Sequence, residues 1–184
     1  MNLFLIRHGE TAWSKNGRHT GLTDIPLTEA GVQEAKNLGK RLKSYTFEKV
    51  FASPLKRALD TCTLAGFHPE VSLDLLEWDY GAYEGFTHDE ILKENPHWNL
   101  FTQGAPSGES VADVGVRADR VLKMVQGIRG DVALFSSAHI LRTIAARWLK
   151  LPPASGSLFL LSTASISILG HERSSPVILA WNRD

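Results

Sequence analysis

The sequence predicts an α/β domain: a three-layer α/β/α sandwich with a mostly parallel central sheet and helices on both faces. Two observations carry that expectation. Residues 3–6 (Leu-Phe-Leu-Ile) and 50–52 (Val-Phe-Ala) are apolar runs of strand length, as expected for strands buried on both faces. They alternate with longer segments whose apolar residues recur at helical spacing, and such alternation marks a parallel sheet covered by its crossover helices. At 184 residues the chain fits a single domain, 1–184, and no repeat, low-complexity stretch or linker divides it.

Taken in order, residues 3–6 form the first strand, and residues 7–25, rich in Gly, His, Thr and Asn, read as a loop with functional side chains. Thr28 is the N-cap of a helix in which Ala30, Ala35, Leu38 and Leu42 recur to about Tyr45. After the strand at 50–52, Ser53 reads as a cap and Pro54 as the first residue of a helix bearing Leu55, Ala58, Leu59 and Cys62. Residues 71–75 are a weaker strand, and the aromatic, glycine-rich run 77–106 is expected to hold short helices. A helix over 110–126 presents Val114, Ala118, Val121, Leu122 and Val125 on one face. A strand at 132–135, a helix at 138–149 stopped by Pro152-Pro153, and two late strands at 165–169 and 177–180 complete the pattern.

Twenty Lys and Arg balance twenty Asp and Glu, so the formal net charge is zero. That argues against nucleic acid as a partner, because such affinity comes mostly from excess cations, but it leaves room for a local anion site. Cys62 is the one cysteine, so no internal disulfide forms and a reducing compartment is expected. No apolar run approaches the roughly 20 residues of a membrane span or the roughly 7–15 of a signal-peptide core. The expectation is a cytoplasmic protein without a membrane partner. Oligomeric state is not legible.

In a parallel sheet the site lies beyond the carboxyl ends of the strands. Three polar clusters fall there: Arg7-His8-Gly9-Glu10, residues 53–57, and residues 136–139. Arg7 and Arg57 can fork onto an oxyanion, and His8 between them is a candidate nucleophile toward phosphorus. The leaving alkoxide then needs an acid, for which Glu10, Glu77 and Glu84 are the candidates.

The segment Leu5-Ile6-Arg7-His8-Gly9-Glu10-Thr11 resembles the signature of the histidine phosphatase superfamily, which includes phosphatases and cofactor-dependent phosphoglycerate mutases. Residues 20–28, 53–58 and 76–85 match that family in order, so the resemblance runs through nearly the whole chain. It implies His8 as the phosphorylated histidine, Arg7 and Arg57 as phosphate-pocket arginines, and Glu77 as the acid that later activates water. Glu84 is expected to be structural. Ser14 takes the place of an asparagine that contacts phosphate, Gly21 would offer its N–H, and Tyr80 would line the substrate mouth.

One departure stands out. Where the family carries Ser-His-Gly-His-x-x-Arg, this chain reads Ser136-Ser137-Ala138-His139-Ile140-Leu141-Arg142. Ser137 thus holds the place of the second catalytic histidine, Ala138 that of the glycine, and His139 that of the non-catalytic histidine. Ser137, Ala138 and His139 are all candidate phosphate-binding residues. Ser137 is favoured in the pocket with His139 at the start of the helix, the alternative being a loop arranged so that His139 reaches in.

His19, His68, His88, His97 and His171 read as surface or loop residues, and none has metal-ligand spacing, so neither metal nor cofactor is expected. Cys62 reads as a small core residue. The expected activity is phosphomonoester hydrolysis of a small phosphorylated metabolite through a phosphohistidine on His8. The runner-up is a mutase, disfavoured because residues 85–108 hold a single Lys or Arg, Lys93. A catalytically weakened phospho-ligand binder, suggested by Ser137, is the alternative of another class.

Overall fold

The computed structural model describes all residues from Met1 to Asp184. Six strands form one sheet: β1 (Leu3–Arg7), β2 (Phe47–Ala52), β3 (Glu70–Val71), β4 (Asp131–Ser136), β5 (Ile166–Glu172) and β6 (Ser175–Arg183). Their spatial order is β3-β2-β4-β1-β5-β6. The β1–β4, β2–β4 and β2–β3 ladders are parallel, and β5 and β6 extend the sheet antiparallel as a hairpin. The helices are α1 (Ala12–Lys15), α2 (Glu29–Leu42), α3 (Lys56–Leu64), α4 (His88–Glu94), α5 (Leu100–Gln103), α6 (Val111–Val125) and α7 (Ala138–Trp148).

The two faces of the sheet separate as the period of a strand requires. Leu3, Leu5, Val132 and Leu134 pack under α6 and α7, against residues such as Val114, Ala118, Ile140 and Ile144. Phe4, Ile6, Ala133 and Phe135 turn to the other side and meet Leu38 and Leu42 of α2 and Cys62 of α3. The expected three layers are present.

Local departures have local causes. The helix that Ser53-Pro54 were expected to open begins at Lys56, with no side-chain cap from Leu55. Ser53 instead prolongs the pairing of β2, its N–H donating to the Phe135 carbonyl at 3.0 Å. The strand expected over 71–75 shrinks to the two residues of β3, followed by a 3-10 turn at Leu73–Leu75. Arg117 of α6 holds that turn by donating to the carbonyls of Asp74 and Leu76. The loop after β1 contains α1, started by a reciprocal cap between Thr11 and Ser14.

β1, β4 and β2 lie side by side, so the segments leaving their carboxyl ends converge on one edge of the sheet. The first of these is braced by α2: Glu10 accepts from the Thr28 amide and hydroxyl, at 2.9 and 2.7 Å. Gly9 and Gly31 meet backbone to backbone, and a Cβ on Gly31 would run into the Glu10 carbonyl. Gly31→Ala is therefore expected to cost about 1–3 kcal/mol. Thermal unfolding should show a Tm lowered by about 2–4 °C per kcal/mol; an unchanged Tm would mean that the contact yields freely.

Candidate active site

His8 follows the last residue of β1, and its backbone is held on two sides. Its N–H donates to Ser136 at 2.9 Å, and its carbonyl accepts from Ala164 at 3.1 Å. The imidazole Nδ1 lies 2.8 Å from the Gly9 carbonyl. A carbonyl only accepts, so Nδ1 carries the proton and Nε2 keeps its lone pair. Burial, then Arg57 and Arg7, hold His8 well below the ordinary imidazole value of 6.5. The ring is consequently neutral near pH 7, with an unprotonated nitrogen available for attack.

His8 opens into a cavity of about 170 Å³, lined also by Arg7, Ser14, Arg18, His19, Thr20, Glu77, Tyr80, Ala138 and His139. Arg7 donates to the Leu161 carbonyl through Nη1, at 2.5 Å. Its Nε is buried and has no partner. Arg57 is fully buried behind this wall. It donates to the carbonyls of Thr20, Gly21 and Thr23 and to Ser137 Oγ, the last at 3.4 Å. Of its five N–H groups, only one on Nη1 is left over, so its effect on His8 is mainly through its charge.

Glu77 is 3% exposed. Oε1 accepts from the amides of Trp78 and Ile140, and Oε2 from that of His139, each at 2.9 Å. Burial disfavours its charge, but the His139 imidazole and the backbone N–H groups of His139 and Trp78 outweigh burial and hold the carboxyl well below its usual range. His139 Nδ1 lies 3.7 Å from Glu77 Oε2 and 2.5 Å from the Tyr80 hydroxyl. Burial lowers the His139 pKa despite that carboxylate. Nδ1 therefore faces both the Tyr80 hydroxyl and the Glu77 carboxylate, and Nε2 is the ring nitrogen left free.

Several expected roles change with these positions. The Gly21 amide donates to Glu84, at 2.9 Å to Oε1, and is not turned to the cavity. Glu84 also accepts from Thr23, so it is the structural anchor that the sequence suggested. Ser14 lines the cavity, but its hydroxyl is engaged with Thr11, donating to the carbonyl at 3.1 Å and accepting from the amide at 2.9 Å. The expected order of Ser137 and His139 is reversed: His139 lines the cavity, while Ser137 is 1% exposed and turned to Arg57. The reason is the start of α7, where Ser137 is the N-cap and His139 lies one residue into the first turn, over Glu77.

His19, read as a surface or loop residue, does lie in the loop after β1, but not as a free surface group. It lines the cavity, its Nδ1 is 3.0 Å from the Phe86 carbonyl, and burial lowers it to about 4. Its signal was its place in the polar loop that follows β1. Arg117, which donates to the Glu77 carbonyl at 3.1 Å, was missed although an arginine within the apolar stripe of α6 was visible. Cys62 is buried, and burial pushes its thiol up to about 12, as suits a core residue.

The histidine phosphatase superfamily (branch 1) model matches residues 3–184. An acid phosphatase of Mycobacterium tuberculosis is 46% identical over 175 residues, covering 92% of this chain and 86% of that protein. The solved structure of a Mycobacterium tuberculosis open reading frame product superimposes with a TM-score of 0.96 at 42% identity, over 99% of this chain and 97% of that one. A phosphoserine phosphatase variant from Entamoeba histolytica, in complex with phosphoserine, gives a TM-score of 0.84 at 27% identity, over 98% and 96%.

Three cavity imidazoles held below 6.5 make the fold sensitive to acid. Below 6.5 the unfolded chain binds protons that the folded chain refuses, so stability falls as pH drops. The slope approaches about 1.4 kcal/mol per pH unit for each imidazole. The Glu77 contribution is lost only below 4.5, so the window between the two values reports the histidines. Calorimetry should show Tm declining from pH 6.5 to 4.5, and less steeply in His19→Gln; a flat profile would mean that these rings are not buried neutral.

Proposed function

Because the chain belongs to the histidine phosphatase superfamily, branch 1, we propose that it hydrolyses phosphomonoesters through a phosphohistidine on His8. The supporting observation is the His8 tautomer: Nδ1 is committed to Gly9, which leaves Nε2 unprotonated, and His8 and Arg7 line the same cavity. Nε2 attacks phosphorus as the P–O bond to the alcohol breaks. Arg7 and Arg57 stabilise the phosphoryl charge in transit. Glu77 protonates the leaving oxygen, then as a carboxylate takes a proton from the water that cleaves the P–N bond. Ester and water thereby become alcohol and phosphate.

Glu77 is ionised in the free site, so its proton has to arrive with the substrate. A phosphate monoester has its second pKa at about 6, and the monoanion brings that proton under mildly acid conditions. An incoming phosphoryl anion also raises the Glu77 pKa by repulsion. His8 stays neutral there because its own pKa is depressed. The reading is thus of an acid phosphatase, acting in the cytoplasm on a small phosphorylated metabolite. No helix is long and apolar enough to cross a membrane.

Three outcomes test this. His8→Ala should lower phosphate release from an aryl phosphate by roughly 10³-fold or more; retained activity would exclude the phosphohistidine route. The acid limb of kcat/KM should lie below 6.5, and a limb at 6.5 or above would contradict the depressed His8 value. Ser137→His restores a charge-assisted donor worth about 1.5–3 kcal/mol, hence a kcat increase of roughly ten- to a hundred-fold. No increase would show that His139 already serves in its place.

A further inference from the structure

Asn182, near the end of the edge strand β6, has a φ of +50°, in the left-handed region that asparagine tolerates better than most residues. The sheet puts it there. Ile168 pairs with Ala180 and Ile166 with Arg183, so Trp181 and Asn182 together oppose the single residue Ser167 of β5. Such a bulge re-aims a side chain out of the alternation of its strand. The Asn182 N–H donates to Ser167 Oγ at 2.9 Å, and the side-chain amide reaches the loop before β5. There Oδ1 accepts from the Ser162 N–H at 2.6 Å, and Nδ2 donates to Ser162 Oγ at 3.2 Å.

That loop runs beside Arg7 and His8. The Ser165 carbonyl accepts from the Arg7 N–H at 3.3 Å, and the Ala164 N–H donates to His8. The Leu161 carbonyl accepts from Arg7 Nη1, the one hydrogen bond that this guanidinium makes within the protein. The Leu161 carbonyl and the Ser162 N–H belong to a single planar peptide group, pointing opposite ways. Asn182 Oδ1, that peptide and Arg7 Nη1 therefore form one chain of hydrogen bonds, in which each bond polarises the next. With Nη1 spent on the chain, Nε and Nη2 remain without partners as a pair that can fork onto an oxyanion. A turn of the 161–162 peptide would carry its carbonyl off Nη1 and release the guanidinium.

We infer that Asn182 is a positioning residue for the phosphate site: through the 161–162 peptide it sets the direction in which Arg7 presents Nε and Nη2. The inference rests on the hydrolytic reading above, in which Arg7 receives the phosphate, and adds a residue that does not line the His8 cavity. Other ties keep the loop attached without Asn182. Trp181 Nε1 donates to the Leu160 carbonyl at 2.7 Å, and Arg41 Nη1 to the Ala164 carbonyl at 3.0 Å.

Inorganic phosphate titrated calorimetrically, with kcat/KM for an aryl phosphate measured alongside, tests the chain. Glycine adopts the backbone of position 182 freely and lacks only the amide. Asn182→Gly should therefore weaken phosphate binding and lower kcat/KM, each at least five-fold. Asn182→Asp keeps an oxygen for the Ser162 N–H and should stay within three-fold of the wild type. Trp181→Phe cuts the neighbouring tie, which is not on the Arg7 peptide, and should change either quantity less than two-fold. In an Arg7→Gln background, Asn182→Gly should lower kcat/KM by less than two-fold, because no guanidinium is left to aim. Wild-type behaviour of Asn182→Gly, an equal loss in Trp181→Phe, or a full five-fold loss added to that of Arg7→Gln overturns the inference. If the wild type does not hydrolyse the ester, the hydrolytic reading has failed and the phosphate titrations decide alone. A loss in Asn182→Gly that Asn182→Asp repairs then supports the positioning role, and equal affinities, or no phosphate binding by the wild type, overturn it.

Discussion

The carboxylate of Glu77 joins the two halves of the site. α7 starts at Ala138 without a side-chain cap from Ser137, so its first amides need another acceptor. Glu77 reaches over from the segment after the 3-10 turn and takes those of His139 and Ile140. One side chain thereby caps a helix, ties that segment to the end of β4, and sets a negative charge beside two guanidiniums. Arg117 grips the same segment from behind, through the carbonyls of Asp74, Leu76 and Glu77. A buried carboxylate left without these amides would be costly. The position of Glu77 and the start of α7 therefore depend on each other.

That arrangement explains how a chain of zero net charge builds an anion site. Arg7 is half-buried at the cavity and Arg57 fully buried, with Glu77 between their fields; desolvation lowers both guanidinium pKa values while Glu77 raises them. His8 stands where the cations dominate and cannot easily take a proton of its own. The charge that favours a phosphate thus also keeps its acceptor nucleophilic. The overall count of charges, balanced at zero, says nothing about this local field.

Much of the fold was legible because periodicity reports burial, and burial of both sheet faces leaves little choice of architecture. Residues 3–6 and the α6 stripe at Val114, Ala118 and Val121 show this well. The shortened strand at 71–75 was not legible, because the Arg117 that holds it lies some forty residues away in sequence. Within the site, position at strand ends singled out Arg7, His8 and Arg57, whereas Glu77 was one of three candidate acids until the family resemblance chose it. The sequence could not assign hydrogen bonds, and these decide the rest. Gly21 turns its amide to Glu84, Ser14 closes a cap, and His139 rather than Ser137 lines the cavity. His19 escaped notice because an isolated histidine in a loop has no periodicity to betray its burial.

The replacement at Ser137 alters how the site attracts an anion. The N-terminus of α7 points its amides toward the cavity, and such an end would ordinarily favour phosphate. Here Glu77 covers it, and the serine hydroxyl on Arg57 adds no charge. Anion binding therefore falls mainly to Arg7, with Arg57 acting through its field. The Arg7 Nε is the only buried side-chain nitrogen or oxygen in the protein without a hydrogen-bond partner. An unmade bond of that kind costs about 1–3 kcal/mol in the free protein, more for a charged group. Every other buried side-chain nitrogen and oxygen has a partner, so that cost is concentrated beside His8. An oxyanion that relieves it is bound by the strain of the empty site as well as by charge.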